Sequence, residues 1–269
     1  MSRFQISRGI TEPDWRYKSL AGIYGAENRV AMLGYNEDID TATAPEDVWA
    51  GSLLGTLNGI NHKLIPLPTA AVSMEVVSDS ANDTAAGTGA RTVLVNYLDT
   101  DFVAKSATIT MNGTTGVAMP EAVRRRNGMV ILTTGTNPRG TNAGNISLRA
   151  TGGAGATYGY IRAGAGFEQS SLYTVPAGRT LDVLDVLVSV HQVDTTFRSA
   201  TFAFSQHNAL TGRWFKGLLF AATSTVNYVH HSHGAPILTS LEKTDFWISC
   251  ENVNSNNTVV TAAFQGILR

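Results

Sequence analysis

Apolar and polar positions alternate along this chain in many short runs. Val72, Met74 and Val76 form one such set, and Val93, Val95 and Tyr97 form another. Spacing at period two puts each set on one face of a strand. Between them, Ser78–Gly89 reads SDSANDTAAGTG. These residue types favour turns, because they accept positive φ or bond to their own backbone. The segment is therefore expected to be a long hairpin or inter-sheet loop. A phosphate-cradling Gly loop needs a helix N-terminus behind it, whereas Arg91-Thr-Val-Leu-Val reads as a strand.

The same pattern predicts strands at Ser106–Met111, Gly128–Leu132 and Asn145–Ala150. Turns such as Asn112-Gly113 separate them. This regular spacing, with no helical period, predicts an Ig-like or similar β-sandwich over residues 61–150. Residues 151–156 are rich in Gly and Ala and read as a linker. Beyond it, strands are expected at Tyr158–Arg162, Ser171–Val175, Thr180–Val190, Ser199–Phe204, Gly212–Ala221, Thr225–His230, Asp245–Glu251 and Thr258–Ile267. Some eight strands of this length fit a jelly-roll-like sandwich over residues 157–269. The fold class is all-β.

Residues 1–60 read differently. Alternation is poor, and a short helix fits Ala26–Leu33. Trp15, Tyr17, Tyr24, Tyr35 and Trp49 are spread among polar residues. Large aromatics with no core of their own make sense against another chain. The region is expected to be an extended arm that docks on a partner. A chain starting at Asn61 is then expected to fold without it.

Composition narrows the function. Apolar residues make up 43% of the 269, enough to bury a sizeable core, while charged residues make up only 15%. The net charge of −1 provides no field to attract nucleic acid or an anionic membrane. No 18-residue apolar run predicts a membrane span, and no secretory signal is visible. The single Cys250 excludes an intrachain disulfide framework and a cysteine zinc site.

Candidate chemistry is sparse. Arg124, Arg125 and Arg126 form the only basic run. They suit a charged strand edge or contact with an acidic partner; without interleaved aromatics they signal nucleic acid weakly. His231 and His233 would share a strand face and are weak metal-ligand candidates beside His230. Glu242 and Asp245 are the nearest acids in sequence. The acidic group Glu37, Asp38, Asp40, Glu46 and Asp47 lacks the spacing of an EF-hand. There is no Gly-x-Ser-x-Gly elbow in a strand–turn–helix setting. No cofactor, metal or catalytic activity is expected.

The run Ser78-Asp-Ser-Ala-Asn-Asp-Thr-Ala-Ala-Gly-Thr-Gly-Ala-Arg-Thr-Val resembles a signature of tailed-bacteriophage virion structural proteins. Tyr97-Leu98-Asp99 and Thr110-Met-Asn-Gly-Thr-Thr follow, similar to the same family's "LD" turn and "LNGTT" strand. Asn142-Ala-Gly-Asn-Ile-Ser resembles its "NAGDI" step, and Tyr173-Thr-Val-Pro-Ala-Gly-Arg-Thr its "YTVPAGKT" segment. Glu46-Asp47-Val48-Trp49 resembles its "EDVW" segment, and Asn256–Phe264 its closing strand. The resemblance implies a particle component located in the virion and assembled in the host cytoplasm. Its partners would be major capsid or tail proteins and further copies of itself, with a trimer as the form expected by analogy with phage surface proteins. Capsid decoration or cement, held by the N-terminal arm, is the role expected. A tail, collar or fibre part touching the host surface is the alternative. A carbohydrate-binding module is a third reading from another class, since jelly rolls carry many functions.

Overall fold

The computed structural model describes residues 29–51, 54–57, 60–137, 139–153, 155–191, 194–232 and 235–269. Every helix or strand among the described residues is a β-strand. In chain order they are β1 (Arg29–Ile39), β2 (Glu46–Asp47), β3 (Leu54–Leu57), β4 (Ile60–Lys63), β5 (Met74–Ser78), β6 (Ala90–Leu98), β7 (Ala104–Thr110), β8 (Val117–Ala118), β9 (Arg125–Thr134) and β10 (Ile146–Ala150). They continue as β11 (Thr157–Ile161), β12 (Tyr173–Thr174), β13 (Leu181–His191), β14 (Ser199–Asn208), β15 (Trp214–Thr223), β16 (Tyr228–His231), β17 (Leu238–Ser240), β18 (Thr244–Val253) and β19 (Thr258–Leu268).

The middle sandwich packs the sheet β11-β10-β5-β8 against the sheet β7-β6-β9. Met74, Val76, Val93, Val95, Ile146 and Leu148 fill its core. These are the alternating positions seen in the sequence, brought face to face because each strand must bury its apolar side against another layer.

The larger sandwich packs β1-β19-β13-β16 against β12-β18-β14-β15. In chain order, β1, β12, β13, β14, β15, β16, β18 and β19 pass from sheet to sheet at every step except one: β14 and β15 form a hairpin within one sheet. Four strands per sheet in this order make a jelly-roll-like sandwich. Phe202, Phe204, Phe246 and Phe264 sit at its centre, with Phe246 edge-on to Phe264 at 4.7 Å. β2 lies along β18 beyond β12, and β17 extends the pairing of β13.

Three expectations change. Residues 29–33 are strand, not helix: β1 pairs with β19 from Arg29↔Ile267 onward, so a tertiary ladder overrides weak local propensity. The expected arm is also not free of the sandwiches. β1 is the edge strand of the jelly roll, and the middle sandwich is inserted between β1 and β12. A chain starting at Asn61 would therefore lack one of eight strands, so independent folding is no longer expected of it. Finally, β11 does not belong to the second sandwich. It pairs with β10, Ile146 opposite Ile161, and Ile161 is buried in the middle core. The Gly-rich stretch expected as a linker thus joins two paired strands of one sheet.

The two sandwiches share a packed junction. Trp49, Ile65, Leu172 and Trp247 form a third apolar cluster. Asn127 of β9 makes a reciprocal pair with Thr174 of β12, its amide donating to the Thr174 carbonyl at 2.8 Å and its carbonyl accepting the Thr174 N–H at 2.8 Å.

Candidate functional site

The signature loop is built around one carboxylate. Asp83 is completely buried. Its Oδ1 accepts the backbone N–H groups of Ala90 at 2.6 Å and Ala143 at 2.8 Å. Its Oδ2 accepts the Gly144 N–H at 2.9 Å and the Ser78 hydroxyl at 2.6 Å. Gly113 donates its N–H to the Asp83 carbonyl at 2.7 Å. Asp79 holds Asn145 by its backbone N–H at 2.8 Å and its side-chain amide at 2.7 Å. A Cβ on Gly89 would collide with the Asp83 carboxylate, which explains a glycine there. Segments 78–90, 112–113 and 142–145 therefore lock into one another. Their carboxylates are spent on backbone donors, a way of satisfying buried polar groups.

The arginine run does not line an open basic face. Arg125 is 2% exposed, and its Nε and Nη2 bind both oxygens of Asp245 at 2.7 and 2.9 Å. Thr174 and His207 also contact that carboxylate, at 2.7 and 3.0 Å. Burial pushes the Asp245 pKa up, but hydrogen bonds from His207 and Arg125 outweigh it and hold the carboxyl below its ordinary value. Arg126 is equally buried and pairs with Glu168 at 2.8 Å. Burial raises the Glu168 pKa and lowers that of Arg126. Arg124 is half-buried, 5.4 Å over the Phe102 ring. Arg125 and Arg126 are thus internal ties, contrary to their expected place at a partner surface. Two of the three arginines could be buried only because carboxylates from distant segments meet them, and spacing does not reveal those partners.

Of the aromatics expected to face a partner, Trp49 is 0% exposed and packs in the junction cluster. It is buried against its own chain instead. Tyr35 is half-buried, with the Arg162 guanidinium 4.8 Å over its ring and His191 edge-on at 6.4 Å. Trp15, Tyr17 and Tyr24 lie outside the described residues, as does His233. His231 is exposed and its Nδ1 lies 2.7 Å from Asp185 Oδ1, an acid that sequence proximity did not suggest. Among the described residues no group of three or more His, Cys, Asp or Glu is placed to hold a metal ion, and no helix is long and apolar enough to cross a membrane.

Most of the exposed large apolar side chains among the described residues lie on the jelly roll, at residues not singled out in the sequence. β15 and β16 are the last strands of their respective sheets, and Phe220 stacks on Tyr228 at 5.2 Å across the gap between them. Leu219 of β15 is 70% exposed, and Val226 and Val229 are exposed nearby in the chain. Leu187 is exposed too and lies opposite Val229. At the other end of β15, Trp214 is 66% exposed. It borders a groove of about 400 Å³ between β15 and the connector at Leu64–Leu67. Trp247 and Asp47 lie in that groove, where Trp247 Nε1 donates to Asp47 at 2.6 Å and the Ile65 N–H does so at 2.7 Å. Burial pushes the Asp47 carboxyl up to about 6. Two adjacent aromatics on a strand, Trp214-Phe215, were the available signal, since strict alternation would bury one of them; both are exposed.

No family model, curated protein or solved structure matches the chain.

Proposed function

We propose that the chain is a non-enzymatic structural subunit of a tailed-phage particle, of the capsid-decoration type, associating with virion proteins and with copies of itself. The observation that carries this reading is the interlocking of the resembling segments around Asp83. A signature whose acids and glycines all serve to lock loops together is the signature of a scaffold, not of a reaction centre. The Glu46–Trp49 segment behaves alike: Asp47 and Trp49 are spent at the junction. The exposed β15–β16 side supplies a surface for self-association. Anchoring on the particle falls to residues before Arg29, because β1 and β2 are committed to the jelly roll.

The test is twofold. Purified particles should contain the chain, in hundreds of copies for decoration or roughly a dozen for a tail part, as capsid and tail symmetries dictate. A chain lacking residues 1–28 should keep its β-rich circular dichroism and cooperative melt but fail to bind particles devoid of the protein. Absence from purified particles, or full binding by the truncated chain, would contradict the respective parts of the proposal.

A further inference from the structure

The groove beside Trp214 has the makings of a small-ligand site. We infer that it binds a neutral carbohydrate, with one sugar ring stacked on Trp214 and its hydroxyls bonded along Lys216, Glu251 and Ser249. The inference deepens the particle reading but stands whether the subunit sits on capsid or tail.

The first argument is the state of Trp214. Its indole is held by His207, with ring centroids 4.5 Å apart, and by Trp247, edge-on at 5.6 Å. Two thirds of the residue still faces solvent. An aromatic ring braced on one side and open on the other is a platform with little entropy left to lose on binding. Sugar rings carry a face of C–H groups that packs on such a surface.

The second argument is the polar chain beside it. Ser205 and Ser249, both buried, share a hydrogen bond of 3.0 Å. Ser249 Oγ donates to Glu251 Oε1 at 2.5 Å, and Lys216 Nζ donates to Glu251 Oε2 at 2.7 Å. Donors and acceptors are thus fixed in a row, as vicinal hydroxyls require. Lys216 is half-exposed, so its ammonium retains donors for a ligand. Ligand sites favour clefts between packed units, lined by apolar side chains with a few fixed polar groups. This groove lies where the connector between the sandwiches meets β15.

The third argument is charge. Lys216 and Glu251 cancel, and the other carboxylate of the groove, Asp47, is buried and already accepts from Trp247 Nε1 and the Ile65 N–H, so the accessible rim favours neither an anion nor a cation. An anionic ligand would also meet Glu251, and a cationic one Lys216. A neutral polyhydroxylated ligand fits both the row and the balance.

The test uses the full chain and three neutral probes: maltohexaose, cellohexaose and the N-acetylglucosamine hexamer. Binding is read by tryptophan fluorescence and calorimetry up to ~10 mM, the weak end of specific recognition. At least one probe should bind, with Trp214→Ala weakening it about tenfold or more, as loss of a stacked aromatic implies. Lys216→Met should weaken it as well while leaving the melt unchanged. No binding by any of the three would overturn the inference. So would binding that both variants leave intact, or a groove that takes a proline-rich decapeptide and no sugar. None of these outcomes bears on copy number in particles, so failure here is distinguishable from failure of the structural reading.

Discussion

Arg125 and Asp245 are 120 residues apart in sequence, yet their side chains meet at 2.7 Å between the two sandwiches. The pair is buried, doubly bonded and supported by Thr174 and His207. Taking away one member of such a pair leaves an uncompensated charge in a low dielectric. Arg125→Met is expected to destabilise the fold by about 3–5 kcal/mol, read by denaturant titration. Arg125→Met combined with Asp245→Leu should recover part of that loss, because the stranded charge is gone. A double variant no better than the single one would show that the pair's geometry, not its charge, is what matters.

Asp83 makes a second sharp prediction. Asp83→Ala would strand the buried N–H groups of Ala90 and Gly144 and break the link between two loops. Each unsatisfied group costs about 1–3 kcal/mol, so a loss of roughly 3 kcal/mol or more is expected. The effect should fall on the middle sandwich. Hydrogen exchange would show it there, with protection falling at Ala90 and Ala143 before it falls in β13 or β19.

Asp47 and Asp245 should give stability opposite dependences on pH. Asp47 has a pKa of about 6 in the fold, against 3.8 as the ordinary value. It therefore takes up protons more readily when folded. Its contribution is fully present below 3.8 and is lost as pH rises through 6, up to about 3 kcal/mol by linkage. Asp245 has a lowered pKa, so its contribution is present above 3.8 and is lost as pH falls through its folded value. Melting temperatures across this range, with Arg125→Met as a control that removes the main cation at Asp245, should separate the two. A carboxyl of Asp47 that titrates near 4 in carbon-detected NMR would refute the first part.

The β15–β16 side should govern self-association. Leu219→Lys with Val229→Lys places charge on the two outermost strands, the device by which sheet edges avoid pairing. The unmodified chain is expected to sediment as an oligomer, a trimer, at micromolar concentration, and the double variant as a ~29 kDa monomer. A wild-type chain that is already monomeric would remove this role from the surface.

Strand content was legible in the sequence because alternation is a local property. Met74 with Val76, and Val93 with Val95, lie on the core side of their strands because the side-chain period of a strand is two. The turn at Asn112-Gly113 was legible for the same reason, and Gly113 takes a φ of 61°. What no local pattern carries is which strands become neighbours. Residues 29–33 alternate poorly, yet they form an edge strand because β19 offers them an unpaired ladder. Tyr158–Ile161 could serve either sandwich by pattern, and pairing with β10 decided it. Charges follow the same division. Three consecutive arginines read as surface, since burial of a cation requires a partner, and Asp245 and Glu168 arrive from 120 and 42 residues away only once the chain has folded. The groove at Trp214 likewise exists only because β14, β15, β18 and the Leu64–Leu67 connector converge on it. The sequence by itself determined the strands and their turns; the tertiary structure decided their partners, because hydrogen-bond ladders and buried ion pairs join residues that are distant along the chain.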